Sequence, residues 1–169
     1  MQKIRILRLY IMQLDLFDKK ILDIMQRNCR LQTERIAEQV GLSASAVQRR
    51  IKKLRQAGVI QQEVAIIDPQ YLMNHMSFLA GLEIERDNYQ TLSHFKSWAE
   101  QKENIQQIYY VTGQFDLMVL VTAATALEYD AFIEQLMQEN PRIRRVTTHV
   151  VLDSPKRSFY TPVKDHQPE

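Results

Sequence analysis

The chain has 169 residues, of which 45% are hydrophobic and 25% are charged, with a formal net charge of +2. This is an ordinary globular composition, enough for one sizeable core or two small ones. The single cysteine excludes an internal disulfide framework and fits a reducing compartment, which predicts a cytoplasmic location. No apolar run approaches the roughly 18 residues of a membrane span, so no membrane partner is predicted.

The charge is unevenly divided along the chain. Residues 1–69 hold 13 Lys/Arg against 7 Asp/Glu, a net of +6, whereas residues 70–169 hold 9 against 13, a net of −4. A basic half joined to an acidic half indicates that the first half meets a polyanion and the second does not.

Residues 1–13 form an N-terminal extension whose role is left open. The start is basic and apolar, but Arg5 and Arg8 interrupt it and no cleavage site of small residues follows, so it does not resemble a signal peptide. It is predicted either to add a strand or helix, or to be incidental because translation begins at Met12.

Residues 14–58 show the periodicity of three short helices with tight turns. Apolar side chains fall on one face of segments 15–28 and 33–42, and Asp15 and Asp18 favour the start of the first helix. Thr33 is predicted to cap the second helix, and Gly41 provides its left-handed exit. A third helix, capped by Ser43 and closed by Gly58, completes a helix-turn-helix pattern.

Residues 59–73 are predicted to form wing and linker strands. The segment VIQQEVAIIDP (59–69) is apolar and β-prone, and it predicts a small hairpin that turns near Gln61–Gln62 and stops at Asp68–Pro69. With the three helices, this hairpin would make a winged helix-turn-helix domain.

Residues 74–153 are predicted to form a second, α+β domain. Strand patterns cover 76–85, 104–113, 115–123 and 143–153, and helical patterns cover 88–101 and 126–140. The order β-α-β-β-α-β predicts a ferredoxin-like sandwich with Phe95 and Trp98 in its core. Residues 154–169 are polar and contain proline, so they are predicted to be a C-terminal tail.

The third predicted helix carries five cations between Arg49 and Arg55 and no acid. If Val47, Ile51 and Leu54 are buried, the charged side faces solvent along a helix of about 20 Å, a size that a DNA major groove admits. Ser45, Gln48 and Arg49 could reach base edges, and Lys52, Lys53 and Arg55 are better placed for phosphates. The predicted contacts to double-stranded DNA are Ser43, Ser45, Gln48, Arg49, Arg50, Lys52, Lys53 and Arg55. A solvated helix face is the alternative for such a charge run, but its place in a helix-turn-helix of the basic half favours DNA.

The same residues resemble a known family. The LD-x-x-D-x-x-IL start at Leu14, Arg30, VGLS (40–43) and the arginine-hydrophobic run into the wing are similar to the DNA-binding half of the Lrp/AsnC family of transcriptional regulators. VTGQFDLMVLV (111–121) and THVVL (148–152) resemble its second half, the RAM-type domain. The resemblance implies a homodimer that assembles further, often to octamers, and an amino-acid effector bound in the second domain.

The resemblance also implies where that effector would bind. Carried over by position, the effector residues are Thr112, Gly113, Gln114, Phe115, Asp116, Thr147 and Thr148, with Asp116 suited to an ammonium group and backbone N–H groups near Gly113 to a carboxylate. Phe115 stands where the family has Tyr, and NPRIRRV (140–146) replaces its Leu-Pro-Gly-Val. From the residues alone, G-x-F-D between strands is first a β-turn. Leu117–Leu120 would suit the side chain of leucine, methionine or another nonpolar amino acid, but core packing or subunit contact is the favoured interpretation of these residues.

No enzyme is predicted, nor any cofactor or metal. The four histidines are scattered without metal-ligand spacing, and no phosphate-binding glycine loop or nucleophile elbow occurs. Two alternatives to an amino-acid-responsive regulator remain open. One is an architectural DNA-binding protein without an effector, and the other is a ferredoxin-like protein that binds or converts a small molecule and whose basic helix is incidental.

Overall fold

The computed structural model describes residues 13–68, Tyr71, 76–85 and 89–163. The expectations for residues 1–12, for Pro69 and for His75 and His166 lie outside these residues. The chain divides into two compact units: the residues up to Ala65 together with the segment from Arg157, and Ile66–Lys156. The C-terminal segment predicted to be a tail thus belongs, from Arg157 on, to the first unit.

The first unit is the predicted three-helix array. Its helices are α1 (Leu16–Arg27), α2 (Thr33–Val40) and α3 (Ala44–Gln56). One apolar stripe of each helix packs into a common core, formed by Ile21, Met25, Ile36, Ala37, Val40, Val47, Ile51 and Leu54. The helix-turn-helix prediction is therefore confirmed in its arrangement.

Local capping explains where these helices begin and end. Asp15 accepts a hydrogen bond from the backbone N–H of Asp18, whose side chain reciprocally accepts one from the backbone of Asp15, so α1 starts in a capping box. Gly41 has φ +74° and ends α2 in the left-handed conformation that glycine adopts at low cost. The prediction that Thr33 caps α2 is wrong, because the cap position is Gln32 and Thr33 is the first helical residue.

The predicted wing hairpin is wrong for the described residues 59–68, none of which lies in a strand. A two-stranded hairpin is marginal in water unless another element covers it. Here Val64, Ile66 and Ile67 are 63%, 65% and 51% exposed, so in the single chain their apolar surface stays uncovered.

The second unit is the predicted βαββαβ domain. Its elements are β1 (Met76–Ile84), α4 (Tyr89–Ala99), β2 (Ile105–Tyr110), β3 (Leu117–Ala123), α5 (Ala126–Glu139) and β4 (Ile143–Val151). The strands pair antiparallel in the order β2-β3-β1-β4. The domain is therefore α+β and ferredoxin-like.

The core of this unit lies between the two helices and one face of the sheet. Alternate residues of β1 and β3 are buried there, since successive side chains of a strand point to opposite faces. Phe95 and Trp98 of α4 join them, as predicted, and the Trp98 indole N–H donates to the carboxylate of Glu139. Phe78 and Tyr129 stack with ring centroids 3.9 Å apart.

Among the described residues, no helix is both long and apolar enough to cross a membrane. Within the same part of the chain, no group of three or more His, Cys, Asp or Glu side chains is arranged to hold a metal ion.

Candidate functional sites

Helix α3 presents a polar outer face because its three large apolar residues are buried on the other side. Ser43 caps the helix by accepting from the Ala46 N–H at 3.2 Å, and its hydroxyl lies 3.1 Å from that of Ser45. Ser43 is thus engaged in capping. Ser45, Gln48, Arg49, Lys52, Lys53 and Arg55 are all exposed, as the helical spacing predicts.

Arg50 does not share this outward face, because its guanidinium is engaged by acidic side chains of α1 and its N-cap, and its DNA contact stays a prediction. Its guanidinium donates to Asp15 and to Asp18, both at 2.7 Å, and lies 5.5 Å from the centroid of the Phe17 ring. Asp18 is only 5% exposed, so Arg50 compensates a carboxylate inside the helical unit. Pairing with the two carboxylates raises the pKa of Arg50, and hydrogen bonds from the Asp18 backbone and from Arg50 lower that of Asp15.

Arg55 also has an acidic partner. Its Nε and Nη2 donate to the two carboxylate oxygens of Glu63 at 3.2 and 2.9 Å. Both groups are partly exposed, so the pair contributes little to stability and would be free to exchange for a phosphate. Among the described residues, Arg49, Lys52 and Lys53 have no acidic partner, and these three cations form what we call the α3 ridge.

The turn after β2 is held together by main-chain contacts. Gly113 has φ +127°, which an L-residue with a side chain rarely adopts, and the Val111 N–H donates to the Asp116 carbonyl at 3.0 Å. Asp116 accepts from the Ile84 N–H through Oδ2 at 2.7 Å, and its own N–H donates to the Leu82 carbonyl at 2.9 Å. Asp116 therefore fixes the turn to β1, as the β-turn interpretation requires, and keeps Oδ1 for any other partner.

Phe115 folds from this turn onto the sheet face opposite the helices. A Cβ atom on Gly81 would lie 2.8 Å from the Phe115 ring, and the ring meets that of His149 edge-on with centroids 6.3 Å apart. Gly81 is thus a site of close approach, which its position in a strand did not reveal.

We expect Gly81→Ala to lower the free energy of unfolding by about 1–3 kcal/mol, because the added methyl group would overpack the Phe115 ring. The same substitution in a Phe115→Ala background should cost much less. Chemical denaturation of the four proteins of this cycle measures the difference. An equal cost in both backgrounds would show that the ring is not the obstacle.

The two threonines predicted to contact an effector lie on opposite faces of β4. Gly81 pairs with Thr147 in the sheet and Ala80 with Thr148. Thr148 shares a face with buried Ala80, and its hydroxyl lies 2.8 Å from that of Tyr129 on α5. Thr147 is therefore on the face of Gly81 and Phe115, whereas Thr148 is on the helix side.

A cavity of about 270 Å³ lies elsewhere in the second unit. It is lined by Gln90, Thr91, His94, Asn140, Pro141 and Arg142, none of which the sequence predicted. The Thr91 hydroxyl and the Asn140 Oδ1 atom are buried and have no hydrogen-bond partner among the residues that the structure describes. The only sequence signal for this place was the departure from Leu-Pro-Gly-Val at Asn140–Val146.

The fold and these surfaces define a class of protein: a two-domain transcriptional regulator with a helix-turn-helix and a ligand-binding domain. Residues 14–55 match the AsnC-type helix-turn-helix domain, and residues 77–161 match the Lrp/AsnC ligand binding domain. The chain belongs to the Lrp/AsnC family, whose members are transcriptional regulators rather than enzymes.

Relatives match over nearly the whole chain. The HTH-type transcriptional regulator y4tD of Sinorhizobium fredii is 36% identical over 159 residues, 94% of each chain. The transcriptional regulator AzlB of Bacillus subtilis is 30% identical over 90% of this chain and 97% of its own. The leucine-responsive regulatory protein of Haemophilus influenzae is 26% identical over 89% and 91%.

Solved structures agree with the fold. An AsnC family transcriptional regulator from Agrobacterium tumefaciens superposes with a TM-score of 0.77 at 26% identity, over 88% of this chain and 97% of that one. The regulator NMB0573 of Neisseria meningitidis, solved as a complex with L-Met, has a TM-score of 0.77 at 22% identity, over 89% and 97%.

Proposed function

We propose that this protein is a sequence-specific, double-stranded DNA-binding regulator whose assembly or DNA binding responds to a nonpolar amino acid. The single observation that carries the DNA half is the α3 ridge, three cations without an acidic partner in the described part of the chain, beside exposed Ser45 and Gln48 on the third helix of a helix-turn-helix. Ser45, Gln48 and Arg49 would read base edges, and Lys52, Lys53 and Arg55 would meet phosphates. It would act in the cytoplasm.

Sequence-specific binding is favoured over architectural compaction by the charge distribution on α3. Of the five cations, Arg50 is held by two aspartates and Arg55 by Glu63, so the helix is less basic than its sequence. Side chains able to read bases stand near its N-terminal end, as in helices that enter the major groove. Selection of duplexes from a random pool, followed by salt titrations on selected and random duplex, tests this, since an architectural protein would bind both alike.

We expect Lys52→Ala to weaken binding to selected and random duplexes to the same extent, because a phosphate contact carries no base information. The slope of log affinity against log salt should fall by about 0.9, the value for one phosphate neutralised. Fluorescence anisotropy at four salt concentrations or more measures it. A change in sequence preference with an unchanged slope would contradict the phosphate assignment.

We propose that the amino-acid effector binds at the surface around Thr112–Asp116, where Thr147 lies on the same sheet face as Phe115. The main-chain N–H groups of the turn would meet the carboxylate of an amino acid, and Oδ1 of Asp116 its ammonium group. The leucine-responsive relative and the L-Met complex of a structural neighbour support a nonpolar amino acid. Thr148, bonded to Tyr129, would support the site from behind.

A homodimer that assembles further is part of the proposal. The uncovered apolar side chains of Val64, Ile66 and Ile67 lie in a described segment without strand partners, and pairing with the same segment of a second copy would cover them. Light scattering on the protein without ligand and with each of the twenty amino acids tests the assembly, and a thermal-shift screen of the same amino acids tests effector binding. Stabilisation should rise with the concentration of the amino acid that binds the native form.

A further inference from the structure

The C-terminal segment makes specific contacts with the outer surface of α1. The Gln26 side chain forms two hydrogen bonds with the main chain of Thr161: its Nε2 donates to the Thr161 carbonyl at 3.0 Å, and the Thr161 N–H donates to its Oε1 at 2.8 Å. A side-chain amide placed in this way pairs with both main-chain polar groups of one residue and holds the segment at that position.

Tyr160 adds a second point of attachment. Its hydroxyl donates to Oδ1 of Asp23 at 2.6 Å and accepts from Nη2 of Arg27 at 2.6 Å. The Arg27 guanidinium carbon also lies 4.2 Å from the Tyr160 ring centroid, a cation–π contact. Asp23 and Arg27 stand one helical turn apart and pair at 3.4 Å, so the hydroxyl joins an ion pair already arranged by the helix.

We propose that Asp23, Gln26 and Arg27 of α1 form a docking site for the protein's own C-terminal segment around Tyr160–Thr161. The site recognises the hydroxyl of Tyr160 and the main-chain N–H and C=O groups of the residue that follows it. All three α1 side chains are polar, and Asp23 and Arg27 are charged and paired with each other, so the contact is selective without a large apolar area.

With the C-terminal segment docked by these non-covalent contacts, two stretches of chain join the DNA-binding unit to the effector domain. The first runs through the residues that follow Ala65, and the second runs from the end of β4 at Val151 to Arg157. A short second connection restricts the placements open to the helix-turn-helix, which pre-organises it for a partner with fixed spacing. This consequence rests on the proposed function, whereas the docking itself does not.

Hydrogen exchange followed by mass spectrometry on the full chain tests the docking without DNA or effector. In the wild type, the amides of residues 158–163 should exchange about three- to tenfold more slowly than in an unstructured chain, the effect of a net hydrogen bond. Gln26→Ala should abolish this protection, and Tyr160→Phe, which removes only the hydroxyl, should reduce it. Lys20→Ala on the same helix and Tyr110→Phe on β2 are the matched controls and should leave it unchanged.

Unprotected amides in the wild type, or wild-type protection in Gln26→Ala, would overturn the docking. Its consequence is tested on a duplex carrying two selected half-sites and on one carrying a single half-site. Gln26→Ala with Tyr160→Phe should weaken binding to the first by about three- to tenfold and leave the second unchanged; equal losses would overturn the pre-organisation. If no variant binds either duplex, the proposed function fails while the exchange experiment still decides the docking.

Discussion

We expect Arg50→Ala to lower the free energy of unfolding of the helical unit by about 2–3 kcal/mol, because the substitution leaves the buried Asp18 carboxylate without its cation. The Arg50 side chain is 29% exposed, so water compensates part of the loss and the cost stays below that of a fully buried pair. Chemical denaturation followed by circular dichroism measures it. The substitution would also remove the cation–π contact between the Arg50 guanidinium and the Phe17 ring.

A second substitution separates this mechanism from a general loss of helix stability. In Arg50→Ala with Asp18→Asn, no buried charge remains unpaired, so part of the lost free energy should return. Arg49→Ala, one residue away and exposed, should change stability by less than about 0.5 kcal/mol. An Arg50→Ala variant as stable as Arg49→Ala would contradict the structural role assigned to Arg50.

We expect Arg49→Ala to reduce affinity for a selected duplex by about 1–3 kcal/mol and to relax the preference at one base pair, because an arginine at the start of a recognition helix pairs with a guanine edge. Affinity for random duplex should fall much less. Selection repeated with the variant identifies the position that becomes tolerant.

Lys52→Ala is the matched control for this result, since it removes one positive charge from the same face of the same helix. It should weaken selected and random duplexes alike. If Arg49→Ala behaves in the same way, Arg49 is a phosphate contact, and Ser45 and Gln48 remain as the candidates for base reading.

Arg49 and Arg50 also show why the sequence predicted the surroundings of only some of the cations on α3. The helical period of 3.6 residues places Arg49 on the side away from Val47, Ile51 and Leu54, and the structure confirms that it is exposed. Arg50 lies at the flank of the buried stripe, where the period does not decide between solvent and a neighbouring helix. Its partners are 35 and 32 residues earlier in the chain, so only the packing of α1 against α3 assigns them.

In the second domain, too, the sequence predicted some features, and others depended on the tertiary structure. Alternation and helical periodicity predicted its six elements, and each is present within a few residues of the expected bounds. The sheet face on which each of Thr147 and Thr148 lies depends on the register of β4 against β1. The contact of Phe115 with Gly81 depends on the path of the turn before β3. The wing strand failed because β-prone residues form a strand only when a partner strand is present, and the described segment has none.

The sequence by itself therefore determined the helices, the sheet strands, the helix start near Asp15, the cap at Ser43 and the outward basic face of α3. These follow from residues close in the chain, through side-chain periodicity and hydrogen bonds to nearby backbone groups. The tertiary structure decided the pairing of Arg50 with Asp18, the packing of the Phe115 ring against Gly81 and the contact of Tyr160 with α1. Each of these joins residues far apart in sequence, and such contacts exist only after the chain has folded and brought their partners together.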